Sequence, residues 1–248
     1  ADIGVAMGIT GTDVTKNVAD MVLSDDNFAT IVKAVVNGRG VYTNIKNAIS
    51  FLLSGNMAAI LCVLFTSLAG MPLPFAPVHL LFINLLTDSL PAIAIGVEPA
   101  TGDLLNRPPR DPKEPILNKG LMGSIMGYGL LIALATIGAY FIGLNGGGAG
   151  RAMTLAFATL TLARLFHGFN CRGDGSIFKI GLLKNKASIG AFFAGVVLLA
   201  AAMFIPGVTR LFQISSFTGT DILAVVLLAF APTVLIQVYK VIRDAVKK

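Results

Sequence analysis

The sequence predicts a mainly α protein, a polytopic bundle of six transmembrane helices preceded by a short α/β segment. Three observations carry that prediction. Of 248 residues, 55% are hydrophobic and only 13% charged, with a mean hydropathy of +0.79, whereas soluble domains are about a quarter charged. The apolar residues gather into runs near the roughly 20 residues a bilayer requires. Lysines and arginines stand in the short connections between those runs, so the formal net charge of +6 reports topology and not a nucleic-acid surface.

Residues 1–40 are soluble in character. ADIGVAMG alternates and reads as a buried strand entering a glycine turn. Thr12 and Asp13 are placed to cap a short helix reaching about Asp20, and MVLSDD reads as a second strand. Gly4, Gly8 and Gly11 match no strict nucleotide fingerprint, so they do not support a phosphate cradle. From Asp25 or Asp26, as cap, the pattern becomes helical and continues into apolar sequence, with Gly38 and Gly40 as its flexible points. The chain starts at Ala1 without a charged region before an apolar core. Such a start, inside a pattern, is expected of a fragment or cleaved product.

Residues 41–248 form the membrane part, with spans at about 45–68, 80–98, 121–144, 152–169, 189–205 and 222–239. Lys33, Arg39 and Lys46 precede the first span, and Arg107, Arg110, Lys113 and Lys119 follow the second. Arg172, Lys179, Lys184 and Lys186 occupy a later connection, and Lys240, Arg243, Lys247 and Lys248 the tail. These four groups are cytosolic by the positive-inside rule, which places both termini in the cytosol. The opposite face carries only Arg151 and Arg210, beside a flexible GLNGGGAG turn. The connection containing RPPRDPKEP is stiff and extended, suited to docking. Cys62 and Cys171 form no C-x-x-C, so neither a disulfide nor a zinc site is expected.

The second span holds the chemistry. Asn84, Thr87 and Asp88 stand at i, i+3 and i+4 and would share one face of an α-helix. A carboxylate at mid-bilayer costs about 2.5–3.5 kcal/mol on insertion scales. Three oxygen-bearing side chains suit a hard cation, because Ca²⁺ and Mg²⁺ take oxygen ligands. Pro91 removes a backbone donor and so frees a carbonyl nearby. The competing reading is a helix-packing cluster with Asp88 protonated or paired. Asn56, inside the first span, is equally suited to an ion and to a neighbouring helix. Arg164 falls in the middle of the fourth span, so it and Asp88 are the two formal charges deep in the membrane, and they are expected to meet; the alternative is that Arg164 snorkels. His79 and His167 are expected at the membrane interfaces.

ADIGVAMGITGTDVTKNVADMVLSDDNFATIV, NGRGVYTNIKNAISFLLSGN, NLLTDSLPAIAIGVE and RPPRDPKEPIL together resemble the C-terminal part of a P-type cation-transporting ATPase. The similarity is to the type IIA calcium pumps of the sarcoplasmic-reticulum-like group, which has bacterial members. It covers essentially the whole chain, most specifically up to Lys119. It implies that residues 1–40 are the end of a haloacid-dehalogenase-like phosphorylation domain and its stalk helix, and that the spans are the fifth to tenth membrane helices. It implies calcium ligands at Asn84, Thr87, Asp88 and Asn56. The family usually has a Glu three residues after the Asn, where this chain has Ala59, and commonly another at the position of Arg164. Arg cannot ligand a cation, so Arg164 is expected as a counter-charge beside Asp88, with one ion moved per cycle.

The resemblance also implies that Arg107, Pro108, Pro109 and Arg110 couple the membrane part to the phosphorylation domain. The family's D-K-T-G-T, T-G-E-S and T-G-D-G-x-N-D motifs are not in this sequence, so no catalytic residue is assigned and the isolated chain is expected to be inactive in ATP hydrolysis. ATP and Mg²⁺ would act through cytosolic actuator and nucleotide-binding domains, and the expected partners are those domains, the family's N-terminal membrane helices and the lipid of the cell membrane. Two other functions fit the same residues: a pump for Mn²⁺, Na⁺ or H⁺, and a truncated, non-catalytic membrane protein that binds or regulates others.

Overall fold

The computed structural model describes residues 2–100, 104–106, 108–111 and 113–246, which fall into two compact units. The first comprises residues 1–43 and 100–112, the second residues 44–99 and 113–248.

In the first unit, strand β1 (Val5–Met7), helix α1 (Asp13–Val18) and strand β2 (Met21–Leu23) make one parallel crossover, with Val5 opposite Met21. Parallel strands need such a connection between them. The Thr12 hydroxyl accepts from the Thr15 amide and caps α1. Gly8 lies so close to β2 that a Cβ would sit 2.6 Å from the Leu23 carbonyl oxygen, and its amide donates to that oxygen at 2.7 Å.

The expected cap at Asp25 or Asp26 resolves differently. Asn27 Oδ1 accepts from the Ala29 amide, and Asp25 accepts from the Asn27 amide and the Thr30 hydroxyl. Asp26, at φ 50°, turns back and accepts from the amides of Ile9 and Thr10, both at 2.8 Å, and from the Thr10 hydroxyl. Those loop donors are therefore occupied by the protein's own carboxylate.

Helix α2 (Ala29–Leu68) runs without interruption through Gly38 and Gly40. Within the first unit, residues 39–42 of α2 receive the connection that follows the second span. Arg39 donates to the carbonyls of Leu104 and Leu105, Arg110 donates to the Tyr42 hydroxyl, and the Arg110 guanidinium lies 4.4 Å from the Tyr42 ring centroid. Pro108 and Pro109 are exposed, and Arg107 lies outside the described residues.

The second unit is helical. Helix α3 (Pro77–Phe82), a π-helical turn (Ile83–Thr87) and helix α4 (Ser89–Gly96) form one span. Then come α5 (Lys119–Asn170), α6 (Ile177–Ile180), a 3₁₀ turn (Leu182–Lys184), α7 (Lys186–Phe204), α8 (Val208–Leu211) and α9 (Gly219–Val246). Five helices among the described residues are long and apolar enough to cross a membrane. One of them, α5, contains both the expected spans 121–144 and 152–169. It breaks at Gly147 and at Gly148, whose φ of 79° suits glycine. The two arms fold together: a Cβ on Gly143 would lie 2.6 Å from Ala152 Cα, nine residues on. The second arm is the centre of the unit, with Leu155, Ala156, Phe157, Leu160 and Ala163 all at most 1% exposed.

The hydrogen bonds to Asp26 fix its pH dependence. The Ile9 amide, and after it the Thr10 hydroxyl, hold its carboxyl below the ordinary value by stabilising the anion. A depressed folded pKa gives stability that is present above the unfolded value and lost as pH falls through the folded one. Protection of the Ile9 and Thr10 amides against hydrogen exchange, measured relative to the intrinsic rate at each pH, should therefore persist at neutral pH and be lost only on acidification below the ordinary aspartate range, while Asp26→Ala should remove it at neutral pH.

Candidate functional site

The widened turn at Ile83–Thr87 positions the candidate residues. The Asp88 amide reaches the Ile83 carbonyl at 2.9 Å, five residues back, and the Thr87 hydroxyl donates to the same oxygen at 3.1 Å. Pro91 has no amide proton to return to the Thr87 carbonyl four residues earlier. π turns inside helices frequently mark functional sites. This one also changes the expected geometry. Thr87 and Asp88 are each 1% exposed, whereas Asn84 faces outward. The three side chains do not share one buried face, because the extra residue in the turn rotates Asn84 away from the other two.

Asp88 meets Arg164. The Arg164 Nη2 donates to Asp88 Oδ2, and both side chains are 2% exposed. The same nitrogen donates to Asn56 Oδ1 at 3.1 Å, which draws α2 into the cluster. Room for the guanidinium comes from Gly55, where a Cβ would overlap it. Asp88 Oδ1 and Arg164 Nε have no hydrogen-bond partner among the described residues. Ala59, one turn along α2 from Asn56, is buried and apolar. Among the described residues no three His, Cys, Asp or Glu side chains converge as a metal cluster. A cation here would therefore meet one carboxylate together with amide, hydroxyl and carbonyl oxygens, a donor set that suits a hard ion.

Both histidines are buried inside the bundle. His79 is fully buried, accepts from the Ala76 amide at Nδ1 and lies 2.6 Å from the Phe212 carbonyl through Nε2. Its ring stacks on Phe157, with centroids 4.2 Å apart. His167, three residues after Arg164, contacts Ser54 Oγ at 2.9 Å and Cys171 Sγ at 3.2 Å. Polar partners on adjoining helices allow a ring to stay in the interior that a span-end position alone would send to water.

A second buried ion pair was hidden in the sequence. Arg172 binds Glu98 with two parallel bonds of 2.8 and 2.9 Å, and Asn185 donates to the same carboxylate at 2.6 Å. Arg172 also caps the carbonyls of Gly181 and Leu182, and Asn44 donates to the backbone of Gly96 and Glu98. Lys240, assigned from sequence to the cytosolic tail, is 3% exposed and donates to the carbonyls of Asn170 and Gly173, both at 2.6 Å. The available signal was a carboxylate at a span end with arginine and asparagine in a later connection. Positive-inside counting treats such cations only as topological markers.

Removing one member of a buried pair strands the other charge, at about 3–5 kcal/mol. Arg164→Met alone should lower stability by about that much in thermal or denaturant unfolding in detergent, and Arg164→Met with Asp88→Leu should recover most of it.

Residues 72–242 match the family model described as cation transporting ATPase, C-terminus. Over 95% of its length the chain is 42% identical to a calcium-transporting ATPase of Bacillus subtilis (strain 168), covering 27% of that protein. It is 45% identical, over 75% of its length, to calcium-transporting ATPase 1 of Lactococcus lactis, covering 21% of that protein. It is 35% identical, over 97% of its length, to calcium-transporting ATPase type 2C member 2 of Rattus norvegicus, covering 26% of it. The chain thus spans about a quarter of the length of these relatives. With its apolar helices, its buried Asp88 and this match over most of its length, the chain belongs to the P-type cation-transporting ATPases and corresponds to their C-terminal membrane region.

Proposed function

We propose that the chain is the membrane-transport portion of an ATP-driven pump that exports Ca²⁺ from the cytosol, one ion per cycle. The observation that carries this reading is the Arg164 guanidinium bonded to both Asp88 and Asn56. A pump with two sites needs further oxygens where this chain has Ala59 and Arg164. The Asp88–Arg164 pair has no net charge, and its cation stands where a second divalent ion would need anions. One ion can still reach Asp88 through Oδ1, which has no hydrogen-bond partner among the described residues. The Thr87 carbonyl released by Pro91 adds a second oxygen. Asn84 faces away from the described bundle, toward where an earlier membrane helix of the pump would supply the remaining ligands. Thr87 and Asn56 are secondary, each held by a bond within the protein.

In this proposal α5 contributes two crossings, giving six, with both termini in the cytosol and the whole in the cell membrane. ATP and Mg²⁺ are used by cytosolic actuator, nucleotide-binding and phosphorylation domains. The chain alone is inactive in ATP hydrolysis. The connection with Arg107, Pro108, Pro109 and Arg110 would transmit movement between those domains and the membrane. Calcium is preferred to Mn²⁺, Na⁺ or H⁺ because the relatives named above are calcium-transporting ATPases.

A filter assay on the intact pump should find one Ca²⁺ bound per phosphorylated enzyme, and two would refute the single-ion reading. Asp88→Asn should weaken the apparent calcium affinity of metal-dependent phosphorylation at least about tenfold, since even outer partners of metal ligands cost 10–100-fold. Normal calcium dependence in that variant would remove Asp88 from the site.

A further inference from the structure

A cavity of about 760 Å³ lies between the second arm of α5, α7 and α9, against the connection that holds α6 and the 3₁₀ turn. That volume is within the range of about 300–1,000 Å³ typical of small-molecule sites. Its walls are apolar, led by Phe166, Phe169, Phe192, Phe193, Phe230 and Val238. The polar side chains on its lining are already engaged: Gln237 donates to Asn170 and accepts from the Ile177 amide, and Thr233 accepts from Asn170. Nothing inside calls for water or for a polar ligand, so the cavity suits hydrocarbon.

The rim supplies the other half of the chemistry. Phe178, Leu182 and Leu183 are 84%, 47% and 74% exposed, and Lys179, Lys184 and Lys186 are interleaved with them. Exposed apolar residues alternating with lysines are the pattern of a segment lying in a membrane interface, with ammonium groups at headgroup level. The carboxylates at this end are Asp174, Glu98, which is held by Arg172 and Asn185, and Asp244, which is held by the Ser176 amide and Arg243. Lys184 and Lys186 make no ion pair among the described residues.

We propose that this cavity is a binding site for a phospholipid with an anionic headgroup, one acyl chain among the phenylalanines and the headgroup at Lys184 and Lys186. The assignment rests on the membrane placement in the proposed function and is independent of which ion is carried.

The test uses the protein purified in mild detergent and supplied with phosphatidylglycerol or phosphatidylcholine of identical chains, with retained lipid counted by native mass spectrometry. Phosphatidylglycerol should be retained in preference, and Lys184→Gln and Lys186→Gln should each reduce that preference about fivefold without altering phosphatidylcholine retention. Val238→Trp, at a half-exposed lining position, should place an indole in the path of the acyl chain and lower retention of both lipids alike. Equal retention of the two lipids, or full retention in Val238→Trp, overturns the proposal. So does a co-purifying polypeptide that Val238→Trp releases. Calcium dependence is not read, so failure here leaves the pump assignment standing, and a failed ion count leaves the lipid site standing.

Discussion

The membrane unit depends on a carboxylate and a guanidinium buried together. Neither Asp88 nor Arg164 could stand alone where it is, because a single buried charge costs several kcal/mol while a bonded pair offsets most of that penalty. Around the pair the sequence makes allowances: Gly55 leaves room for the guanidinium, Asn56 accepts a hydrogen bond from it, and the π turn brings Asp88 inward. Three segments distant in sequence are fixed by one contact. In the proposed function a packing role and a transport role are compatible for Asp88, since one oxygen is bonded and the other has no partner among the described residues.

Much of this was legible in the residues, and the reasons differ from element to element. The β1–α1–β2 crossover announced itself through alternation and the Thr12 cap, which are local signals. The helices of the second unit followed from apolar length. Meeting of Asp88 and Arg164 followed from cost, because the sequence places no other formal charge at their depth. The outward turn of Asn84 did not follow. Face assignments by i, i+3, i+4 assume an α-helix, and the Thr87 back-bond and Pro91 widen the turn that those positions span. The burial of His79, His167 and Lys240 was equally hidden. Each is decided by carbonyls and hydroxyls on other helices, and no spacing in the chain reports them.

A ring of polar contacts ties together the ends of the spans nearest the basic connections. Glu98, Arg172 and Asn185 share charge and hydrogen bonds, while Lys240 closes the carbonyls at the end of α5. Bonds of this kind hold loop backbone that would otherwise need water. They make the Arg172–Lys186 connection a fixed shelf, which explains how Phe178 and Leu183 can stay exposed beside a defined cavity.

The supernumerary residue between Ile83 and Thr87 acts as a vernier. His79 must face the Phe212 carbonyl on one side of it, and Asp88 must face Arg164 on the other. Deleting one residue from the turn would wind it to ordinary pitch and swing α3 by about 100° relative to α4, so that only one of the two anchors could be kept. The irregular turn is thus what reconciles two fixed appointments along a single short span.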